Sequence, residues 1–380
     1  MKRVGKFLLL RLFALLLGAA AGGFVLLFLK LMKIGIAFFW ETLPAYGAFA
    51  GYPIVVCGLG GIAVGLCQKY IGPYPETMEK VLETVKEMRQ YGYKKIPGIS
   101  LSSLLPIVFG GSVGPEAGLT GIISSLCTWV GDCLRRARGK MEKLAAEKAD
   151  IPRKAKRDLY ALAVLGGFGV YFLLNEFLGG GLHIARFGSA AAGLSEALWS
   201  LPLLLFGAAA GYFYFASGKA AALILKPLAR FAVLRAVIGG VLLGICGAFF
   251  PYTMFSGELQ MGLVMENWAE TPMVELFLIG VIKIVIVNVC IQSGWKGGPI
   301  FPVLFSGVCL GYGTVFLTGI DSVFSVVVTT AAFCGAVLRK PAAVILVLLF
   351  FFPVNSVPYL IIAAFIGSRA PIPAAFKTEQ

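Results

Sequence analysis

The stretch from Ile99 to Val130 holds one charged side chain, Glu116. Basic segments flank it on both sides: Lys86 to Lys95 before it, and RRARGKMEKLAAEKADIPRKAKRD after it. An apolar run of this kind belongs in a bilayer, and basic flanks stay on the cytoplasmic face. Entry and exit on the same side rule out one straight spanning helix. Two half-spanning helices satisfy the constraint, with the break at GGSVGP, Gly110 to Pro115. Glycine and proline interrupt helices, and irregular backbone at membrane depth is tolerated only where it lines a polar cavity or is buried in protein. The run from Pro341 to Ile366, bounded by Arg339, Lys340 and Arg369 and interrupted at PVNSVP, reads the same way.

The rest of the 380-residue chain agrees: 58% of its residues are hydrophobic and 14% charged. The expected fold class is an all-α polytopic membrane protein, an inverted repeat with broken and half-spanning helices. The N-terminal MKRVGKFLLLRLFALLLGAAAGG imitates a secretory leader, but Arg11 interrupts it and the apolar run continues to Leu29, so it reads as a first spanning helix. The formal charge of +14 sits in short segments between apolar runs, the positive-inside pattern, and implies no nucleic acid partner. By contrast, no Lys or Arg occurs between Lys33 and Lys69, between Arg235 and Lys283, or between Lys296 and Arg339. Those loops should face outward, with both termini cytoplasmic and the chain crossing the cell membrane several times.

Eight cysteines without CxxC spacing read as buried small hydrophobes, and a single histidine, His183, leaves neither a metal site nor a Ser/His/Asp triad to be expected. No cofactor is expected. An intramembrane enzyme acting on lipid would show clustered Asp, Glu or His at a water-facing edge, and the chain has no such cluster, so it is not expected to be an enzyme. The polar insertion PYPETMEKVLETVKEMRQYGYKK carries Met78, Val81, Leu82, Val85 and Met88 at helical spacing and predicts a short amphipathic surface helix.

GGSVGP (Gly110 to Pro115) and GGPIFP (Gly297 to Pro302) share GGxxxP spacing, one in each half. Broken segments in matching places point to an inverted-repeat transport protein with its site at the repeat interface. The predicted organisation is one transmembrane domain over residues 1–380, in halves of about 1–190 and 191–380, with no cytoplasmic regulatory domain. A helix that starts inside the membrane presents unpaired N–H groups and its positive dipole end, so its natural ligand is an anion. The candidate anion-binding residues are Gly111, Ser112, Val113, Gly114, Pro115, Gly298, Pro299, Ile300 and Phe301.

These segments resemble the CLC family of chloride channels and proton-coupled chloride antiporters. GSVGPEAG is similar to its G(K/R)EGP signature, SGWKGGPIFPVLFSG to its GGxFxP signature, and CGAVLRKPAAVILVLLFFFPVNSVPYLIIAAFIGS to its late SxRAPLTG segment. GGFGVYFLLNEFLGGGLHIARF can be laid without gaps on its GLAAAFNAPLAG segment, matching Gly169, Asn175, Leu178, Gly180, Leu182 and Ile184. The resemblance implies a homodimer in the lipid bilayer with one pathway per subunit for chloride or another small anion.

The departures are as informative. The family's gating glutamate falls on Val113, and its inner proton-transfer glutamate falls near Arg186 and Phe187. Its anion-coordinating serine is replaced by Gly72 or Pro73, and its late tyrosine falls near Ile372. A proton-coupled antiporter needs carboxylates that carry both charge states. The residues therefore lead to passive, channel-like conduction, with proton-coupled exchange through Glu116 as the alternative. Glu116 reads either as that protonatable gate or as a carboxylate that stabilises the break at a helix N-terminus. Glu176, in LNEFLGG, reads as a cap in a loop between half-helices. Lys296 and Arg339, beside helix starts, and Arg186 either concentrate anions at the cytoplasmic mouth or snorkel to set topology.

Overall fold

The computed structural model describes residues 2–47, 49–145, 153–178, 185–191 and 193–371. Apart from one isolated β-bridge, these residues form helices and the turns between them. In chain order the helices are α1 (Lys2–Ala37), α2 (Tyr52–Tyr70), α3 (Met78–Met88), α4 (Ile96–Val108), α5 (Glu116–Ala145), α6 (Arg153–Leu178) and α7 (Leu194–Leu225). There follow α8 (Ala232–Phe249), α9 (Glu258–Asn267), α10 (Met273–Ser293), α11 (Ile300–Thr318), α12 (Ser322–Leu338), α13 (Pro341–Leu348) and α14 (Val357–Arg369). Eight helices among the described residues are long and apolar enough to cross a membrane. The chain is a multi-pass membrane protein.

The expected breaks are where the glycines and prolines put them. The run from Ile99 to Val130 divides into α4 and α5 around residues 109–115, and the last apolar run divides into α13 and α14 around residues 349–356. The amphipathic insertion forms α3, started by Thr77, whose side chain accepts a hydrogen bond from Lys80 N, and fastened through buried Val81. Cys57, Cys290, Cys309 and Cys334 are buried among apolar side chains.

The chain divides into two compact units that interleave in sequence. One comprises Met1–Phe38, Tyr74–Leu104 and Glu116–Leu182. Within it α1 and α6 meet backbone to backbone through small residues: a Cβ at Gly18 would fall 1.8 Å from the Ala163 carbonyl oxygen, and one at Gly22 would fall 2.2 Å from that of Gly167. In lipid such close approach supplies the van der Waals contact that apolar side chains alone do not.

The other unit comprises Phe39–Pro73, Leu105–Pro115 and His183–Gln380. Its pair α2 and α8 uses the same device, with Gly61 against Ala236 and Val237, Gly65 against Val233, and Gly240 against Cys57. Its core is built on α11 and α12, with Phe305, Phe324 and Phe333 fully buried. Glu196, in the first turn of α7, accepts from Gly193 N at 2.8 Å and from Asp321 N at 3.4 Å, while Asp321 caps α12 by accepting from Phe324 N at 2.8 Å. Each carboxylate thus satisfies donors at a helix start.

Candidate anion site

Two helices have their ends within the second unit and end in the same way. At the end of α4, Gly110 takes φ +86°, its N–H donates to Ile107 O at 3.1 Å, and Gly111 N donates to Pro106 O at 2.7 Å. At the end of α10, Gly294 takes φ +104°, its N–H donates to Ile291 O at 3.2 Å, and Trp295 N donates to Cys290 O at 2.9 Å. Both are Schellman caps, and only glycine adopts that positive φ without strain.

Four residues after each cap glycine the chains meet. Gly114 N donates to Gly298 O at 2.8 Å and Gly298 N donates to Gly114 O at 2.9 Å, an antiparallel bridge. Each bridge glycine precedes a proline, Pro115 or Pro299, and each proline precedes a helix start, Glu116 for α5 and Ile300 for α11. The true internal echo is therefore GxxxGP, residues 110–115 matched to residues 294–299. The GGxxxP register expected from the sequence, which matched Gly110 to Gly297, is displaced by three residues. The cap and bridge geometry decides the register because positive φ and hydrogen bonding belong to Gly110 and Gly294, whereas Gly297 faces a side chain. A Cβ on Gly297 would fall 2.6 Å from Val113 Cβ. The two equivalent positions oppose one another, and a bulky residue on one requires glycine on the other.

The bridge brings the predicted residues 111–115 together with 298–301. Gly111, Ser112, Val113, Gly114, Pro115, Gly298 and Ile300 are buried, while Pro299 and Phe301 are half-buried. Ser112 is fully buried and its Oγ has no hydrogen-bond partner. The first intrahelical bond at the α11 start runs from Val303 N to Pro299 O at 2.9 Å. The helix dipole therefore begins at Pro299, and its positive end favours negative charge. The chain around Gly72 and Pro73 joins the same place: Lys296 Nζ donates to Pro73 O at 2.7 Å, and Gln68 Nε2 donates to Gly294 O.

Glu116 is half-buried, opens α5, and its carbonyl accepts from Thr120 Oγ1 at 2.7 Å. Several other expectations change. Glu176 lies in the last turn of α6 and is exposed, because FLLNEFL contains nothing to break the helix before the glycines that follow. A carboxylate there opposes the helix dipole and does not stand at a helix start. Arg186 is exposed, and Phe187 beside it is buried, stacked on Phe352 at 4.6 Å, with its N–H donating to Phe351 O. His183 and Ile372 lie outside the described residues.

Arg339 is the C-cap of α12 and donates to the carbonyls of Ser368 (2.8 Å) and Ala370, so it fastens the end of α14 rather than standing at a mouth. Arg339→Met is expected to lower stability by about 1.5–3 kcal/mol, the range for hydrogen bonds to a charged group. Thermal melting in detergent checks the size. An altered half-saturating anion concentration in a fully folded variant would return Arg339 to the anion route.

Two residues that the sequence reading passed over support the site. Trp295 is fully buried and its Nε1 donates to Ala236 O at 2.8 Å. Lys283 is fully buried in the middle of α10. A lone lysine within FLIGVIKIVIVNVC was itself a signal, since an ionisable residue inside a membrane segment is rarely there without a purpose.

The family model for voltage gated chloride channels matches residues 153–370, more than half of the chain. The chain belongs to this family, the CLC proteins. Among curated CLC relatives, the proposed ion-transport protein YfeO of Escherichia fergusonii is 27% identical over 355 residues, covering 81% of this chain and 79% of the relative. The protein of the same name from Shigella sonnei is 28% identical with the same coverage. Among solved CLC structures, a fluoride/proton antiporter superposes with a TM-score of 0.70 at 18% identity, covering 94% of each chain. A slow cyanobacterial Cl−/H+ antiporter gives 0.71 at 15% identity, covering 95% of this chain and 93% of that one. These likenesses establish a CLC fold with broken helices.

Proposed function

We propose that this protein carries a small monovalent anion, chloride in the first instance, across the membrane by way of residues 111–115 and 298–301. The observation that carries this reading is the reciprocal Gly114–Gly298 pairing, which joins two glycine–proline helix entries. The paired glycines commit their own N–H groups to one another, so what the segment offers an anion is the positive end of the helix dipole that follows each proline, without a buried arginine. Ser112, buried with an unused hydroxyl, supplies a further donor in place of the serine replaced at Gly72 or Pro73.

Exchange of the anion for protons, with Glu116 as the protonatable group, has the greater support. Ser112 and Val113 are fully buried, so this segment is sealed from solvent, as suits an occluded site reached alternately from each side. Glu116 follows it directly in the chain and is half-buried. Two solved proteins of like fold are a Cl−/H+ and a fluoride/proton antiporter. Passive conduction is the second reading, and it rests on Val113 and Phe187 standing where the family's two carboxylates fall. In either form we assign the protein to a homodimer in the cell membrane, with both termini cytoplasmic and two inverted halves meeting near residue 190.

Purified protein in chloride-loaded liposomes, with efflux and internal pH recorded together, tests the choice. Stoichiometric proton movement that Glu116→Gln abolishes, with anion flux retained, is the expected result. Fast efflux with no pH change beyond electrical leak would establish a channel, and no efflux of chloride, fluoride or nitrate would sink the transport reading.

A further inference from the structure

Lys283 is the one basic side chain in α10, and it is 0% exposed. Its ammonium donates to the carbonyls of Thr253 (3.1 Å), Met254 (2.8 Å) and Phe255 (2.6 Å), with Tyr252 O at 3.5 Å, and it lies 5.3 Å over the Phe305 ring. Three close carbonyls saturate its three N–H groups, yet none of these partners carries a charge. Three N–H groups are present together only on the protonated amine, and as an ammonium Lys283 has no counter-charge among these partners, at a depth where holding a charge is expensive. A clamp for carbonyls alone requires only a neutral donor.

The carbonyl crown is tied to the anion segment. Phe255 adopts φ +57°, a left-handed conformation that a bulky residue rarely takes, and turns its carbonyl to Lys283 while its N–H donates to Gly110 O at 3.0 Å. Through that one residue the ammonium lies no more than about 9 Å from the Gly110 carbonyl, by backbone dimensions. Met254 packs on Gly110, where an added Cβ would meet its Cε at 2.5 Å. Two turns along α10 from Lys283, on the same face, Cys290 is buried in the same apolar cluster as Val113.

We propose that Lys283 is the fixed positive charge of the anion route: tethered by the carbonyls of residues 252–255, it raises the affinity of the Gly110–Val113 segment for an anion. It touches no anion and acts through the field and through the position of that turn. This rests on the transport reading above. A unit charge about 10 Å away in a protein interior is worth roughly tenfold or more in affinity.

The test is chloride flux into liposomes as a function of chloride concentration, for the wild type, Lys283→Gln, Lys283→Met and Lys283→Arg. The neutral variants are expected to raise the half-saturating concentration about tenfold, by the same field argument, with maximal flux little changed, and Arg is expected to restore it. Unchanged half-saturation in a folded neutral variant, or a fall in maximal flux alone, would make Lys283 a structural clamp and overturn the proposal. So would failure of both neutral variants to assemble while Lys283→Arg assembles. Wild-type protein that moves no anion overturns the transport reading and this role with it, an outcome visible before any variant is compared.

Discussion

Gly297→Ala is expected to lower anion flux by at least about a hundredfold, the scale on which a displacement of order 1 Å disables a positioned site. The added Cβ would lie 2.6 Å from both Cβ and Cγ2 of Val113 and 2.9 Å from the Gly114 carbonyl oxygen. Neither neighbour can yield cheaply: Val113 is fully buried, and the Gly114 carbonyl is committed to Gly298 N at 2.9 Å. Overpacking of this kind costs about 1–3 kcal/mol, so the protein should still assemble while the bridge opens. Because the side-chain clash begins at Val113 Cβ, Val113→Ala cannot relieve it, whereas Val113→Gly removes it and leaves only the contact with the Gly114 carbonyl oxygen at 2.9 Å. The double variant should recover at least about tenfold of the lost flux, a coupling that a double-mutant cycle measures directly. Near-normal flux in folded Gly297→Ala would show that transport does not depend on the paired breaks.

Trp295→Ala should be the most destabilising single change near the site, by about 3–5 kcal/mol, the range for deleting a buried aromatic. The ring is fully buried and lies against glycines from three segments: added Cβ atoms would fall 2.9 Å from it at Gly60, 3.0 Å at Gly111 and 2.8 Å at Gly240. Those glycines have no side chain with which to fill the space left behind. In lipid the interior is held by contact rather than by exclusion of water, so the lost packing is felt in full. Trp295→Phe keeps most of the ring and removes the bond to Ala236 O, for an expected loss of about 1 kcal/mol. Denaturant titration in detergent separates the two variants. Equal stability of Trp295→Ala and wild type would mean that these glycine faces collapse onto one another without strain.

What the sequence carried was local. The breaks at residues 109–115 and 349–356, the amphipathic α3 and the helix start at Ile300 follow from glycine, proline and hydrophobic spacing acting on their own neighbourhood. The family likeness was legible for a related reason, since its signatures are the short glycine–proline segments that make those breaks. Glu176 was misplaced because its neighbourhood contains glycines just beyond it, whereas the helix runs on through it to Leu178. The register of the repeat, the opposition of Val113 to Gly297, the carbonyls around Lys283 and the fastening of Gly294 and Lys296 to Gln68 and Pro73 were settled only by the tertiary structure. Each joins residues far apart in the chain, through hydrogen bonds and contact distances for which no local residue pattern selects one partner over another. Local chemistry fixes where a helix must stop; only packing fixes what stands opposite when it does.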